Sequence, residues 1–269
     1  MISNQMITKL TDEFIPVYGP VKSWRYGRSL GIDPIGKIST CSFNCVYCQL
    51  GEIEQKISDR SVYVSTTEIL LNLQKFAPWD VDIITLSGSG EPTLALNLKE
   101  ILQETKKLTN KPILVLTNGT TLTNPEVKSA LALVDRVSIK IDAVTFKQLQ
   151  GINRPAEILN LSDIWQNIKD FRDKYQGKLA IQTMILSPWN TQNKIEYINL
   201  IKSLKPDEIQ LNTPTRPKPI KRQLDGRGNH TDDRPYAVQK LKCISPEKLQ
   251  NFAEEIHKNT NIPVRYKQK

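Results

Sequence analysis

The apolar residues of this chain alternate between two periods. Short aliphatic runs punctuate longer stretches in which apolar positions recur every three or four residues. The first run lies around Arg28–Asp33. Val81–Leu86, Pro112–Asn118, Arg136–Asp142, Lys178–Met184 and Asp207–Asn212 follow it. Helical patterns separate them. One opens at Ser65 and places Ile69, Leu70, Leu73 and Phe76 on one face. Others lie near Asn97–Leu108, Asn124–Leu133, Leu161–Tyr175 and Gln192–Leu204. Ser65-Thr-Thr-Glu68 reads as a capping box, with Ser65 as N-cap. Strands alternating with helices are the rhythm of a parallel α/β fold with right-handed crossovers. Six strands fall short of a closed eight-stranded barrel. The expected architecture is an open, partial (β/α)6 TIM-like barrel.

The ends of the chain read differently. Residues 1–27 form a short helical or irregular lead, with Gly19-Pro20 marking a turn. Beyond Asn212 the chain becomes proline-rich and basic (Thr213 to Arg222), then flexible around Asp225–His230. A final helix is capped by Ser245, with Pro246 in its first turn, and would dock through Leu249, Phe252, Ala253 and Ile256. We therefore expect a barrel core over 1–213 and a loop–helix extension over 214–269 packed on the same domain. The long loop 214–242 is a candidate lid.

Composition bounds this picture. With 269 residues, 39% of them hydrophobic and 24% charged, the chain suits one globular core. No apolar run reaches the length of a membrane span, and the N-terminus lacks the pattern of a signal peptide. A cytoplasmic protein with no membrane partner is expected. The net charge of +9 suits an anionic partner, nucleic acid or a phosphorylated substrate; equally, it suits plain solubility, since the excess is spread along the chain. Arg25 and Arg28 flank Trp24 and Tyr26. They read as an anion- or base-binding group, or as arginines packed on aromatic rings at a barrel rim.

The cysteines carry the chemistry. Cys41, Cys45 and Cys48 have the spacing C-x3-C-x2-C, and three of the chain's four cysteines fall in that run. Short spacers let several thiolates reach one iron–sulfur cube. Three ligands on a [4Fe–4S] cluster leave one iron open to a substrate or cofactor. A closed zinc site needs a fourth ligand from Cys243, His230 or His257, all distant in sequence. Disulfides suit a secreted chain better, and a ferredoxin run needs a fourth nearby cysteine.

With Tyr47 just before the last cysteine, this run resembles the signature of the radical S-adenosylmethionine (radical SAM) superfamily. The resemblance implies that the thiolates hold the cube and that S-adenosylmethionine takes the open iron through its amino and carboxylate groups. It implies reductive cleavage of that cofactor to a 5′-deoxyadenosyl radical, an electron donor of flavodoxin or ferredoxin type, and the same partial barrel. Ser89-Gly90-Glu91-Pro92, a turn after a strand, resembles the family's Gly-Gly-Glu-Pro turn, with Ser for the first Gly. That turn binds the cofactor's amino group. Polar residues also collect at the C-terminal ends of the strands, where βα barrels place their sites. The resemblance assigns Asn118, Lys140 and Asp142 to the cofactor's ribose and carboxylate, although Lys140 also suits a rim ion pair with Asp142. The expected cofactor-binding set is Tyr47, Gly90, Glu91, Asn118, Lys140 and Asp142.

Further stretches resemble the wyosine-synthase-like branch of the superfamily: Gly19-Pro20-Val21, Gly31-Ile32, Cys45 to Gly51, Ser87 to Thr93 and Gln210 to Pro214. The known members modify a tRNA guanosine and carry a second cluster. Cys243 is the one cysteine left here, so a second three-cysteine cluster is excluded. Modification of a tRNA base, modification of a protein or peptide, and a non-catalytic zinc-containing RNA-binding module all remain open.

Overall fold

The computed structural model describes residues 14–228 and 235–267. One sheet organises the molecule. Its strands are β1 (Val17–Ser23), β2 (Gly27–Ile32), β3 (Ile83–Leu86), β4 (Ile113–Thr117), β5 (Arg136–Lys140), β6 (Lys178–Met184), β7 (Glu208–Asn212) and β8 (Val264–Tyr266). They lie side by side in chain order, so β1 and β8 are the two edges of an open sheet. β1 runs antiparallel to β2, and every later neighbour is parallel. Helices α1 (Thr66–Gln74), α2 (Leu98–Thr109), α3 (Pro125–Leu131), α4 (Phe146–Ile152), α5 (Leu161–Arg172), α6 (Thr191–Leu204) and α7 (Pro246–Thr260) occupy the connections. This is the expected partial, TIM-like barrel.

Strand periodicity explains why a cavity forms inside it. Alternate residues of a strand face opposite ways. Leu30, Ile32, Ile84, Leu86, Val115, Val137, Ile139, Leu179, Ile181, Ile209 and Leu211 are buried in the helix-covered core. Their neighbours Ser29, Gly31, Thr85, Leu116, Gln182 and Gln210 line the hollow of the sheet. The polarity of this hollow thus comes from one face of each strand along much of its length, beyond the strand ends alone. Each core Leu or Ile so buried contributes about 2 kcal/mol.

Several expectations need correction. Six parallel strands become seven, because Val264–Tyr266 joins the sheet beside β7. Residues 17–23 form an edge strand; the turn expected at Gly19-Pro20 is a break in register between Tyr18 and Val21. Helix α4 was not foreseen, although Thr145 and Gln148 form a full capping box at its start. Residues 1–13 of the expected helical or irregular lead, and His230, lie outside the described residues. Ser65 caps α1 as expected, accepting from the Glu68 N–H at 3.2 Å. Helix α7 buries Leu249, Phe252, Ala253 and Ile256 as its pattern required. Among the described residues, no helix is long and apolar enough to cross a membrane.

Candidate cofactor site

The cysteine loop is fixed from both sides. At its start, Thr40 donates its N–H to the Ser89 carbonyl at 3.0 Å, and its own carbonyl accepts from the Glu91 N–H at 3.0 Å. The crossing is so close that a Cβ on Gly90 would fall 1.7 Å from the Thr40 oxygen. Gly90 is therefore the residue that lets the loop lie against the turn after β3. Further on, the Asn44 N–H donates to the Asn153 carbonyl at 2.9 Å and the Val46 N–H to the Ile152 carbonyl at 2.9 Å. Phe43 packs with Ala143 and Leu149. Backbone turns close the loop itself, Cys48 N–H to the Cys45 carbonyl at 3.0 Å and Gly51 N–H to the Cys48 carbonyl at 3.1 Å.

All four cysteines are free thiols, and Cys41, Cys45 and Cys48 are half-buried. The three open onto one cavity of 410 Å³ in the hollow of the sheet. That volume lies within the range of small-molecule and cofactor pockets. Burial is the main reason their pKa values are raised: Cys41 well above the usual thiol value, Cys45 to about 12, and Cys48 in the same direction. As free groups they are neutral thiols, so a bound metal would displace their protons. Cys243 lies elsewhere, its Sγ 3.2 Å from the Pro214 carbonyl. His257 is bound through Nδ1 to the Ile262 carbonyl at 2.9 Å. Among the described residues, no three Cys, His, Asp or Glu side chains group as ligands of a single metal ion.

Gly90, Glu91, Asn118, Lys140 and Tyr47 line the same cavity. Glu91 is 3% exposed. Its Oε1 accepts from the Thr93 N–H at 3.1 Å and from the hydroxyls of Thr93 and Thr117 at 2.7 Å each; its Oε2 accepts from the Asn118 N–H at 2.7 Å. Burial raises its pKa, and these hydrogen bonds oppose the rise. The Asn118 amide donates to the Ser42 hydroxyl at 2.9 Å and reaches the Cys41 sulfur at 3.7 Å. Lys140 opens onto the cavity and forms the rim ion pair, its Nζ 3.8 Å from Asp142 and 4.5 Å from the centre of the Tyr47 ring.

Asp142 stands behind this wall, its side chain fully buried. It accepts from the Tyr47 hydroxyl, from the Asn153 amide at 2.8 Å and from the Met184 N–H at 2.7 Å. The same Asn153 amide touches the Cys45 sulfur at 3.4 Å. The carboxylate thus orients Tyr47 and Lys140, and its oxygens are committed to the protein.

The C-terminal segment completes the wall. The Gln223 N–H donates to the Leu50 carbonyl at 2.9 Å, and a Cβ on Gly226 would meet the Gln49 oxygen at 2.3 Å. Arg222 donates to the Ser89 hydroxyl at 2.9 Å, and Arg227 pairs with buried Asp33 at 2.9 Å. The expected lid region therefore packs directly on the residues that follow Cys48. Of the two arginines read beside Trp24, Arg25 lines the cavity, whereas Arg28 lies outside it, paired with Asp80 at 2.7 Å.

The donor set fits an iron–sulfur cluster with a bound small cofactor. Three thiols share one cavity, and three buried polar atoms of its lining lack partners: Arg25 Nε, and Gln182 Nε2 and Gln210 Oε1 on residues paired in register across β6 and β7. A ligand in the cavity would satisfy them. Comparison with known proteins agrees. A UPF0026 protein of Synechocystis sp. is 55% identical over 256 residues, covering 94% of this chain and 96% of that protein. A UPF0026 protein of Methanocaldococcus jannaschii is 35% identical over 206 residues, covering 74% of this chain and 64% of that protein. Among solved structures, native anSMEcpe with bound AdoMet shares the fold, with a TM-score of 0.59 at 17% identity over 88% of this chain and 64% of that one. The model of the radical SAM superfamily matches residues 37–204, and the chain belongs to that superfamily.

Proposed function

We propose that Cys41, Cys45 and Cys48 hold a [4Fe–4S] cluster whose open iron takes S-adenosylmethionine, and that the protein modifies an anionic substrate, a base in tRNA. The observation that carries this reading is the convergence of the three thiols on the cavity that also holds Glu91, Asn118 and Lys140. When bound and reduced by a flavodoxin- or ferredoxin-type donor in the cytoplasm, that pair would supply radical chemistry, a 5′-deoxyadenosyl radical able to take a hydrogen atom from the substrate. The residues of the chain position and shield. Glu91 offers a fixed negative charge to the cofactor's amino group, and Lys140 a positive one to its carboxylate. Tyr47 and Asn118 hold the wall against the cysteine loop. The barrel core supplies the thiols, and the start of the segment that follows it covers them, with Arg222 on Ser89 and Gly226 against Gln49, the residue after Cys48. The net charge of +9 supports an RNA substrate.

The test is anaerobic reconstitution with iron and sulfide, then addition of dithionite and S-adenosylmethionine, with 5′-deoxyadenosine assayed by mass. A brown protein that forms this product, and loses it in Cys45→Ala, supports the reading. A colourless protein with one zinc and no product refutes it and points to a binding module. Mass analysis of nucleosides from treated tRNA then tests the substrate; an unchanged tRNA with a modified peptide pool would overturn that part.

A further inference from the structure

Arg25 sits in the turn joining β1 to β2 and lines the same cavity as the cysteines. Its Nε is shielded from solvent and has no hydrogen-bond partner. Its guanidinium lies 5.3 Å from the centre of the Trp24 ring. The turn is locked in place from across the opening of the barrel. Arg265 on β8 donates to the carbonyls of Arg25 and Trp24 at 3.1 Å each and pairs with Glu208 at 3.5 Å. Tyr26 shares a 2.5 Å hydrogen bond with Ser138 and accepts from Gln210 at 2.7 Å. Arg25 is thus a positioned cation whose buried N–H points at no acceptor of the protein.

Burial is the main cause that lowers the pKa of Arg25; nearby Arg216 and Arg265 act in the same direction, and Tyr26 and Glu208 oppose them. Arg216 is anchored at 2.9 Å to the side chain of Gln49, the residue after Cys48. Among the described residues, six basic residues line the cavity (Lys22, Arg25, Lys140, Arg216, Arg227 and Lys267) and one carboxylate residue, Glu91. Lys140 also meets Asp142, and Arg227 meets Asp33. The fork of a guanidinium matches an oxyanion with two acceptor oxygens, and a second cation beside it favours the higher charge density of a phosphate over a carboxylate.

We propose that Arg25, stacked on Trp24 and backed by Arg216, binds a phosphate group of the substrate. The proposal rests on the radical SAM reading of the cavity and adds the class of molecule that enters it: a phosphate ester. Arg25 stands on the β1–β2 turn, whereas Glu91 and Asn118 stand at the ends of β3 and β4. Cofactor and phosphate therefore take different walls.

The test titrates inorganic phosphate, and acetate as the carboxylate control, into the reconstituted full chain by calorimetry. Phosphate binding should weaken at least tenfold in Arg25→Gln and about threefold in Arg25→Lys, which keeps the charge but not the fork. Acetate should bind at least tenfold more weakly than phosphate to the unaltered chain. Formation of 5′-deoxyadenosine from S-adenosylmethionine and dithionite, measured without substrate, should be unchanged in both variants. Equal phosphate binding by the unaltered chain and both variants would overturn the proposal, as would acetate binding as tightly as phosphate. Loss of 5′-deoxyadenosine in the variants would also overturn it, by placing Arg25 on the cofactor. Absence of that product in the unaltered chain would instead sink the radical SAM reading, while the phosphate titration would still report on Arg25.

Discussion

Tyr47 and Asp142 lie 95 positions apart and share a hydrogen bond in which the phenol donates to the carboxylate. Burial, then the Asp142 charge, holds the Tyr47 hydroxyl well above the usual tyrosine pKa, so it stays protonated at neutral pH. One bond thereby ties the cysteine loop to the residues just after β5. In Tyr47→Phe, Asp142 keeps its bonds from Asn153 and Met184 but loses one donor. Loss of one hydrogen bond to a buried charge costs about 2 kcal/mol, which for a chain of this size lowers the melting temperature by roughly 5 °C. Thermal unfolding followed by circular dichroism checks the figure, and iron per chain after reconstitution should fall with it. An unchanged melting temperature would show that the bond is not a tie.

Gly90→Ala should be more damaging than its one methyl group suggests. The added Cβ would sit 1.7 Å from the Thr40 carbonyl oxygen and 2.6 Å from its carbon, and both are backbone atoms that cannot swing aside. The crossing must open, and with it go the bonds from Thr40 to Ser89 and from Glu91 to Thr40. Strain of this kind costs about 3 kcal/mol. Because Cys41 follows Thr40 directly, the variant should retain less than half the reconstituted iron of the parent chain. Absorbance near 400 nm per chain is the measurement, and full retention would contradict the crossing.

These two sites mark how far the sequence could be read. The cysteine spacing and the Ser-Gly-Glu-Pro turn are local signals, so both were legible, as were β6 and α5 from their uninterrupted periods. Pairings that depend on the curl of the sheet were not. Tyr26 reaches Ser138 and Gln210, which lie 112 and 184 positions away, and nothing near Tyr26 announces either partner. Strand β8 has three half-buried residues and no apolar run, so it exists through its pairing with β7. Asp142 looked like a strand-end ligand because sequence shows its type and not its direction. The Thr145 and Gln148 box was the one overlooked signal, and it announced α4.

Glu91→Gln separates a binding role from a supporting one. In the native site four donors converge on the two carboxylate oxygens. The glutamine oxygen can replace Oε1, but its NH2 then faces the Asn118 N–H, donor against donor. That mismatch costs about 2 kcal/mol and should lower the urea midpoint. If Glu91 also pairs with the amino group of S-adenosylmethionine, affinity for the cofactor should drop at least tenfold in equilibrium dialysis. A destabilised variant that binds the cofactor normally would leave Glu91 as a brace for Asn118 and nothing more.

Asp135 gives the fold a pH signature remote from the cavity. It accepts from the Ile113 N–H at 2.8 Å and lies 3.0 Å from the Lys106 ammonium. Burial, the largest single influence, pushes its pKa up, but these partners together outweigh it and the net shift is downward. A carboxylate with a lowered folded pKa stabilises the protein above its unfolded value, near 3.9, and loses that contribution as pH falls through the folded value. Asp135→Asn keeps an acceptor for Ile113 and removes the charge. The side chain is 42% exposed, so solvent screening limits the difference to about 0.5 kcal/mol. Urea midpoints should therefore show the parent chain ahead of Asp135→Asn at pH 7 and pH 5. The gap should close below pH 4, where the parent carboxylate takes up its proton. No gap at pH 7 or pH 5 would mean that the charge on Asp135 contributes nothing and that the acceptor oxygen retained in Asp135→Asn does all the bracing of β4.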